Sequence, residues 1–330
     1  DSSVKGILPV SSAVLRLRFF NEYGGLMMKK SKKVFLGILS ALLVIVLVLG
    51  AVELWYYPHY RKHMTAVEVN DVSADGEVRV MSSNLRYISP TDLGRKSWFY
   101  RADLIIKNVE MCSPDIIGFQ EATKYHYAYL CSSLPQYDSV ITYRDEELLS
   151  EGCPVFYRRD KYELADKGSF WLSETPETMS KDWGAACYRI CSYVILTDKA
   201  SGVKFVVFNT HLDHVSDEAR IKGIAVVLDK IKQFGSLPAM IMGDFNCVED
   251  SETYRSATEN FLDVKYQTEN SVGGCTYQDF GRQLDRKPID YVMISKTGFK
   301  VNSYRVVDTV YGGAYPSDHY PLLVSLSFDR

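Results

Sequence analysis

The chain has 330 residues, 46% hydrophobic and 24% charged, with a formal net charge of −3, a composition that excludes a fibrous or disordered protein. Nine basic and five acidic residues fall in 1–74, leaving 29 basic and 36 acidic residues and a net charge of −7 for the rest. A domain that acidic offers no broad field for a polyanion and does not favour a nucleic-acid partner. The seven cysteines form no C-x-x-C pair, which argues against a zinc ribbon or a disulfide framework.

Residues 1–33 form a basic N-terminal segment without a Met at its head. Gly24-Gly25 just before Met27-Met28 suggests a translated ribosome-binding site, so Met27 or Met28 is expected to be the natural start. Val34 to Val52 is an uncharged 19-residue run; as a helix it spans roughly 28 Å, the depth of a bilayer core. Lys29, Lys30, Lys32 and Lys33 precede it, and Trp55, Tyr56, Tyr57 and Tyr60 follow it. The lysine excess places the N-terminus in the cytoplasm and the rest outside, and the aromatics mark a bilayer boundary. A cleaved signal peptide would have a shorter apolar region and a small-x-small site, so an uncleaved anchor is preferred. Residues 53–74 read as a tether and 75–330 as the globular domain.

From Val78 the chain alternates short strands with amphipathic stretches. Strands are predicted at Val78–Asn84, Asp115–Gln120, Cys153–Arg158, Val194–Thr197, Phe205–Thr210, Ala239–Met242, Ile289–Ser295, Lys300–Val307 and Pro321–Phe328, rich in Val, Phe and Tyr. Helices are predicted at Trp98–Met111 and Glu218–Phe234, the latter with Ile221, Ile224, Ala225, Leu228 and Ile231 at helical spacing. Many strands and few helices predict an α/β (α+β) domain of two packed sheets with helices outside. Cys187 and Cys191, four apart in an expected strand, would share a face but lie too far apart to bond, so buried free thiols are expected.

Six polar clusters fall at strand ends: Asn84; Glu121; Asn209-Thr210-His211-Leu212; Gly243-Asp244-Phe245-Asn246; Asp290 in Pro288-Ile-Asp-Tyr291; and Ser317-Asp318-His319. Glu121, Asn84 and Asp318 offer oxygens to a hard divalent cation. Asp244 can orient or deprotonate a water, and Asn246, two residues on, points the same way in extended backbone. Asp290 can bond one ring nitrogen of His319 and fix its charge. Taken singly each has an ordinary explanation, such as a turn cap, a helix N-terminal carboxylate or a surface pair.

Their joint order resembles the endonuclease/exonuclease/phosphatase superfamily, across roughly residues 77–328. The resemblance implies a four-layer sandwich with the site at the top of two mixed sheets, Mg²⁺ (with Mn²⁺ as substitute) and water attack with inversion. It implies metal ligation by Asn84 and Glu121, phosphate contact by His211, and catalytic roles for Asp244, Asn246, Asp290, Asp318 and His319. Whether Asp244 or the Asp290–His319 pair takes the proton stays open. Phe170–Pro176, Tyr188–Cys191 and Tyr315–His319 are similar to a bacterial branch of the superfamily. In that branch Arg189 suits a phosphate edge, against a solvated strand residue. Trp98, Trp171 and Trp183 are candidates for the cleft, against core aromatics. The expected function is hydrolysis of a small or lipid-linked phosphate ester or phosphodiester near the outer membrane surface, with no obligate protein partner. An extracellular nuclease with a basic cleft and a non-catalytic surface module are the alternatives.

Overall fold

The structure is a computed structural model that describes residues 11–62 and 76–329. The chain divides after Trp55 into two compact units. The first contains most of helix α1 (Ser11–Lys62), in which Lys30–Trp55 is long and apolar enough to cross a bilayer and wholly unburied. The expected tether at 53–74 therefore begins as helix, which continues through Pro58 to Lys62; the remainder of the tether and the head of the chain lie outside the described residues.

The second unit is a four-layer sandwich. One sheet runs β12 (Ser271–Val272), β14 (Phe299–Val306), β15 (Leu322–Phe328), β1 (Glu77–Asn84), β2 (Ile116–Gln120), β6 (Val155–Arg158), β4 (Tyr137–Val140). The other runs β11 (Phe261–Asp263), β13 (Asp290–Ser295), β10 (Ala239–Asp244), β9 (Lys204–His211), β8 (Ile190–Asp198), β7 (Tyr162–Trp171). A two-stranded ribbon pairs β3 (Ala122–Thr123) with β5 (Glu151–Gly152). Helices α2 (Trp98–Cys112) and α3 (Lys124–Ser133) cover the first sheet, and α4 (Asp217–Lys232) and α5 (Glu252–Thr258) the second.

Alternation along the strands builds the layers. On β1, Val78 and Val80 enter the core between the sheets, while Met81 packs under α2. On β9, Phe205 and Val207 face the other sheet, while Val206 and Phe208 face α4. On β10 the inward pair is Met240 and Met242, and on β13 it is Val292 and Ile294. Each fully buried side chain of this kind contributes about 2 kcal/mol. At one end every inward stripe changes from apolar to polar: Ser82 and Asn84 on β1, Asn209 and His211 on β9, Asp244 on β10, Asp290 on β13. Register aligns them, with Asp244 opposite both His211 and Asp290.

Strand β7, helices α3 and α5 and the short strands β3, β4, β5, β11 and β12 were not predicted. Strand β7 (YELADKGSFW) is charged, bulged between Leu164 and Asp166, and lies at a sheet edge, so its exposed side chains carry no apolar alternation. Helix α3 (KYHYAYLCSS) is rich in Tyr and Ser and has no clear apolar period; it is set by a capping box between Thr123 and His126 and by burial of Tyr129 and Leu130. Helix α5 is two turns long, too short for a periodic signal. All seven cysteines are free; Cys112, Cys153, Cys191 and Cys247 are buried, while Cys131 is exposed and Cys187 and Cys275 half-buried. Cys187 lies outside the strand expected to hold it, since β8 starts at Ile190.

The turn into the site depends on Gly243. Its φ is 147°, and a Cβ there would stand 1.9 Å from the Thr210 carbonyl oxygen, so β9 and β10 could keep their register only by moving apart. Gly243→Ala is expected to cost on the order of 3 kcal/mol and to lower the melting temperature of the domain by about 10 °C in calorimetry. An unchanged melting temperature would show that the close approach is not a constraint.

Candidate active site

The polar ends of the inward stripes meet at a cavity of about 540 Å³. Its walls include Glu121, His211, Asp244, Asn246, Asp318 and His319. Asn84 lies beneath, fully buried, with its amide nitrogen 3.1 Å from Glu121 Oε1 and 3.0 Å from Asp244 Oδ2. One amide thus donates to an acid from each sheet. Its oxygen accepts from the Arg86 backbone N–H at 2.8 Å, so Asn84, expected among the metal ligands, presents nitrogen and not oxygen to the acids. Glu121 Oε2 accepts from the Tyr87 N–H at 2.5 Å.

His319 Nδ1 stands 2.8 Å from Asp290 Oδ2, and its Nε2 3.7 Å from Asp244 Oδ2, all three groups buried. Burial opposes a charge on His319, but Asp290 and Asp244 outweigh it and hold the ring well above the usual histidine range. Burial, with Asp290 beside it, pushes the Asp244 carboxyl up to about 7, and His319 pulls it back. His211 behaves oppositely. Burial, then Arg189 and Arg144, hold it well below the usual range, and its Nε2 accepts from Asn246 Nδ2 at 2.9 Å. Its 3.4 Å approach to Asp244 is therefore a contact of a neutral ring and not an ion pair. Asn246 also donates through Nδ2 to the Leu212 carbonyl and through its backbone N–H to Asp244 Oδ1.

Two groups of oxygens could serve a cation. Asp244, Asp290 and His319 bring ligand atoms within 4.8 Å of one another, but the hydrogen bond to Asp290 occupies Nδ1 of His319 and the ring is held charged, which suits proton handling and not a hard metal. On the other side the Asp318 carboxyl is raised by burial and by Glu121, with His319 opposing. Asp318 beside Glu121 offers the oxygen donor set that a divalent cation relieves.

The remaining sequence-predicted residue, Arg189, is 5% exposed and lines the cavity, so it is no solvated strand residue. Among the tryptophans, Trp98 is core, and Trp171 gives its N–H to the Arg144 carbonyl; neither these two nor Trp183 lines the cavity. Arg86, Tyr87, Arg144, Glu151, His214, Tyr277 and Arg286, which do, were not expected from the sequence; all but Glu151, in the two-residue strand β5, lie outside the named elements. Arg101 was not expected either. This fully buried guanidinium donates to the carbonyls of Leu85, Pro316, Lys96 and Arg86 at 2.7, 2.9, 2.6 and 3.2 Å. It ties the turn after Asn84 to the turn before Asp318. Its one sequence signal is a charge on the apolar stripe of α2 shared with Trp98 and Ile105. Glu121, Arg86 and Asn246 have φ of 59°, 59° and 49°, so non-glycine strain gathers at the site.

The Endonuclease/Exonuclease/phosphatase family model matches residues 81–319, and the chain belongs to that family, whose members are divalent-metal-dependent phosphoester hydrolases. The endonuclease/exonuclease/phosphatase of Bacteroides vulgatus is 34% identical with a TM-score of 0.73, covering 77% of this chain and 99% of that one. A mannosyl-6-phosphatase of Bacteroides thetaiotaomicron is 31% identical with a TM-score of 0.69, covering 76% and 100%. The Ccr4 exoribonuclease subunit of the CCR4-Not complex of Mycosarcoma maydis is 26% identical over 211 residues, 48% of this chain and 31% of that protein.

Arg101→Met would leave four carbonyls, two of them in buried hydrogen bonds, without this donor. An expected loss on the order of 3–5 kcal/mol should appear in denaturant unfolding, together with weakened cation affinity in titration calorimetry. Wild-type stability in this variant would show that the clasp holds nothing.

Proposed function

We propose that the chain is a membrane-anchored extracytoplasmic enzyme that hydrolyses a small-molecule or lipid-linked phosphate ester with Mg²⁺, Mn²⁺ substituting. The observation that carries the reading is the convergence of Glu121, His211, Asp244, Asn246, Asp318 and His319 on one cavity. The apolar helix and its lysine flank support the anchor and its orientation. The likeness to a mannosyl-6-phosphatase supports a small ester.

In this reading Glu121 and Asp318 hold the cation, and Asn84 acts by fixing Glu121 against Asp244. The bound metal supplies charge neutralisation on a non-bridging phosphoryl oxygen. Asp244, with its carboxyl pushed up to about 7, accepts the proton of the attacking water. His319, charged through Asp290, offers its Nε2–H to the phosphoryl oxygen. Asn246 keeps His211 neutral and oriented, and Arg189 holds a phosphate edge.

A nuclease is the second reading. The likeness to Ccr4 and the presence of Arg86, Arg144, Arg189 and Arg286 in the cavity wall favour it. It requires activity on DNA or RNA that falls steeply with salt.

Chelation should abolish turnover of a chromogenic diester and Mg²⁺ should restore it. Asp244→Ala and His319→Ala should each lower kcat by roughly 10³-fold or more while the melting curve persists; retained activity in either contradicts the assigned roles. The pH profile has a definite sign. Asp290 is the first of the groups that raise the His319 pKa against burial, so activity that needs charged His319 falls as pH rises through that pKa. Asp290→Asn should shift this alkaline limb to lower pH; an unmoved limb would separate the pair from the proton.

A further inference from the structure

One wall of the cavity is built differently from the rest. It comprises Arg144 and Glu151, which flank the tip between β4 and β6, Arg189 at the head of β8, and His214 between β9 and α4. Arg144 grips Glu151 with Nη1 to Oε2 at 2.7 Å and Nη2 to Oε1 at 3.0 Å. Each Nη keeps a second N–H, and each carboxylate oxygen keeps a lone pair. Arg189 Nη2 donates to His214 Nδ1 at 2.9 Å. A guanidinium only donates, so Nδ1 is the acceptor and the ring proton sits on Nε2. Asp213, 3.6 Å from Arg189 Nε, is committed to the backbone N–H groups of Ala186, Cys187, Val215 and Ser216.

The wall therefore interleaves donors with acceptors and its charges are paired: Glu151 balances Arg144, Asp213 faces Arg189 at 3.6 Å, and His214 is neutral. A second anionic group on the substrate would meet the Glu151 carboxylate. A hydrocarbon would dehydrate the ion pair without replacing its hydrogen bonds. Hydroxyls on neighbouring carbons do replace them, since each donates to a Glu151 oxygen and accepts from Arg144 or His214. We propose that Glu151, Arg144 and His214 form a polyol subsite that selects phosphate esters of polyhydroxy alcohols, with Arg189 as the residue that positions His214. This rests on the phosphoesterase reading above. A free sugar phosphate and an inositol lipid headgroup share the required chemistry.

The test uses the full chain in detergent with Mg²⁺ and three substrates. These are mannose 6-phosphate, phosphatidylinositol 4-phosphate in phosphatidylcholine vesicles, and cyclohexylmethyl phosphate, which keeps a ring and a primary ester but lacks hydroxyls. We expect kcat/KM at least tenfold higher for one polyol ester than for the deoxygenated analogue; which one identifies the source. Glu151→Gln and His214→Phe should each collapse that ratio towards one, mainly through KM of the polyol ester. Arg189→Lys, which cannot hold the imidazole in the same way, should lower the ratio less than His214→Phe. Turnover of the analogue as fast as both polyol esters, or a ratio unchanged in both variants, overturns the subsite alone. No turnover of any ester, a chromogenic diester included, removes the phosphoesterase reading and the subsite with it.

Discussion

A single side-chain amide holds the two sheets in functional alignment. Asn84 comes from the first sheet, and its nitrogen reaches Glu121 of the same sheet and Asp244 of the other. The bond lengths fix how far apart the two acids stand, and so where a cation and a water can sit relative to each other. The constraint is satisfiable because strand alternation carries the inward stripes to their ends in step. Just below it, Asn209 of β9 donates to the carbonyls of Phe119 and Pro154 and accepts from Gln120, so the sheets cannot slide without breaking buried hydrogen bonds.

The same alignment is expensive electrostatically. Asp244, Asp290 and Asp318 are buried and converge with the half-buried Glu121 at one cavity. His319 meets part of the repulsion, and Arg86, 3.4 Å from Asp318, meets another part. Arg101, whose burial lowers its pKa to about 10, sits behind the turns and acts on backbone carbonyls as well as through its charge. An excess of acid remains on the Glu121–Asp318 side, which is where a divalent cation brings the largest gain. In the proposed mechanism, proton chemistry and metal chemistry fall on opposite sides of one cavity.

Much of this was legible in the sequence because the site residues terminate periodic strands. Val78-x-Val80 leads to Asn84, Phe205-x-Val207 leads to His211, and Met240-x-Met242 leads to Asp244, so one alternation rule places three of them. The family motifs then join segments far apart in the chain. What escaped is non-periodic. Arg144, His214 and Arg286 project from loops, and Glu151 from the two-residue strand β5, whose course is set by tertiary contacts. Arg101 interrupts an apolar stripe, a signal that reads as noise until the carbonyls it binds are known. The edge strand β7 and the tyrosine-rich α3 are stabilised by neighbours and not by their own pattern. The helical start of the expected tether escaped for the converse reason, since the sequence marks where hydrophobicity ends and not where backbone hydrogen bonding ends.

The central claim is that the cation belongs to Glu121 and the proton to the Asp244–His319–Asp290 group. Crystals of the full chain soaked in Mn²⁺ and measured at the manganese edge test it directly. The account requires an anomalous peak in coordination distance of a Glu121 oxygen, with the Asp290–His319 hydrogen bond intact. A peak between Asp244, Asp290 and His319 would contradict it, because the groups assigned to proton transfer would then be metal ligands.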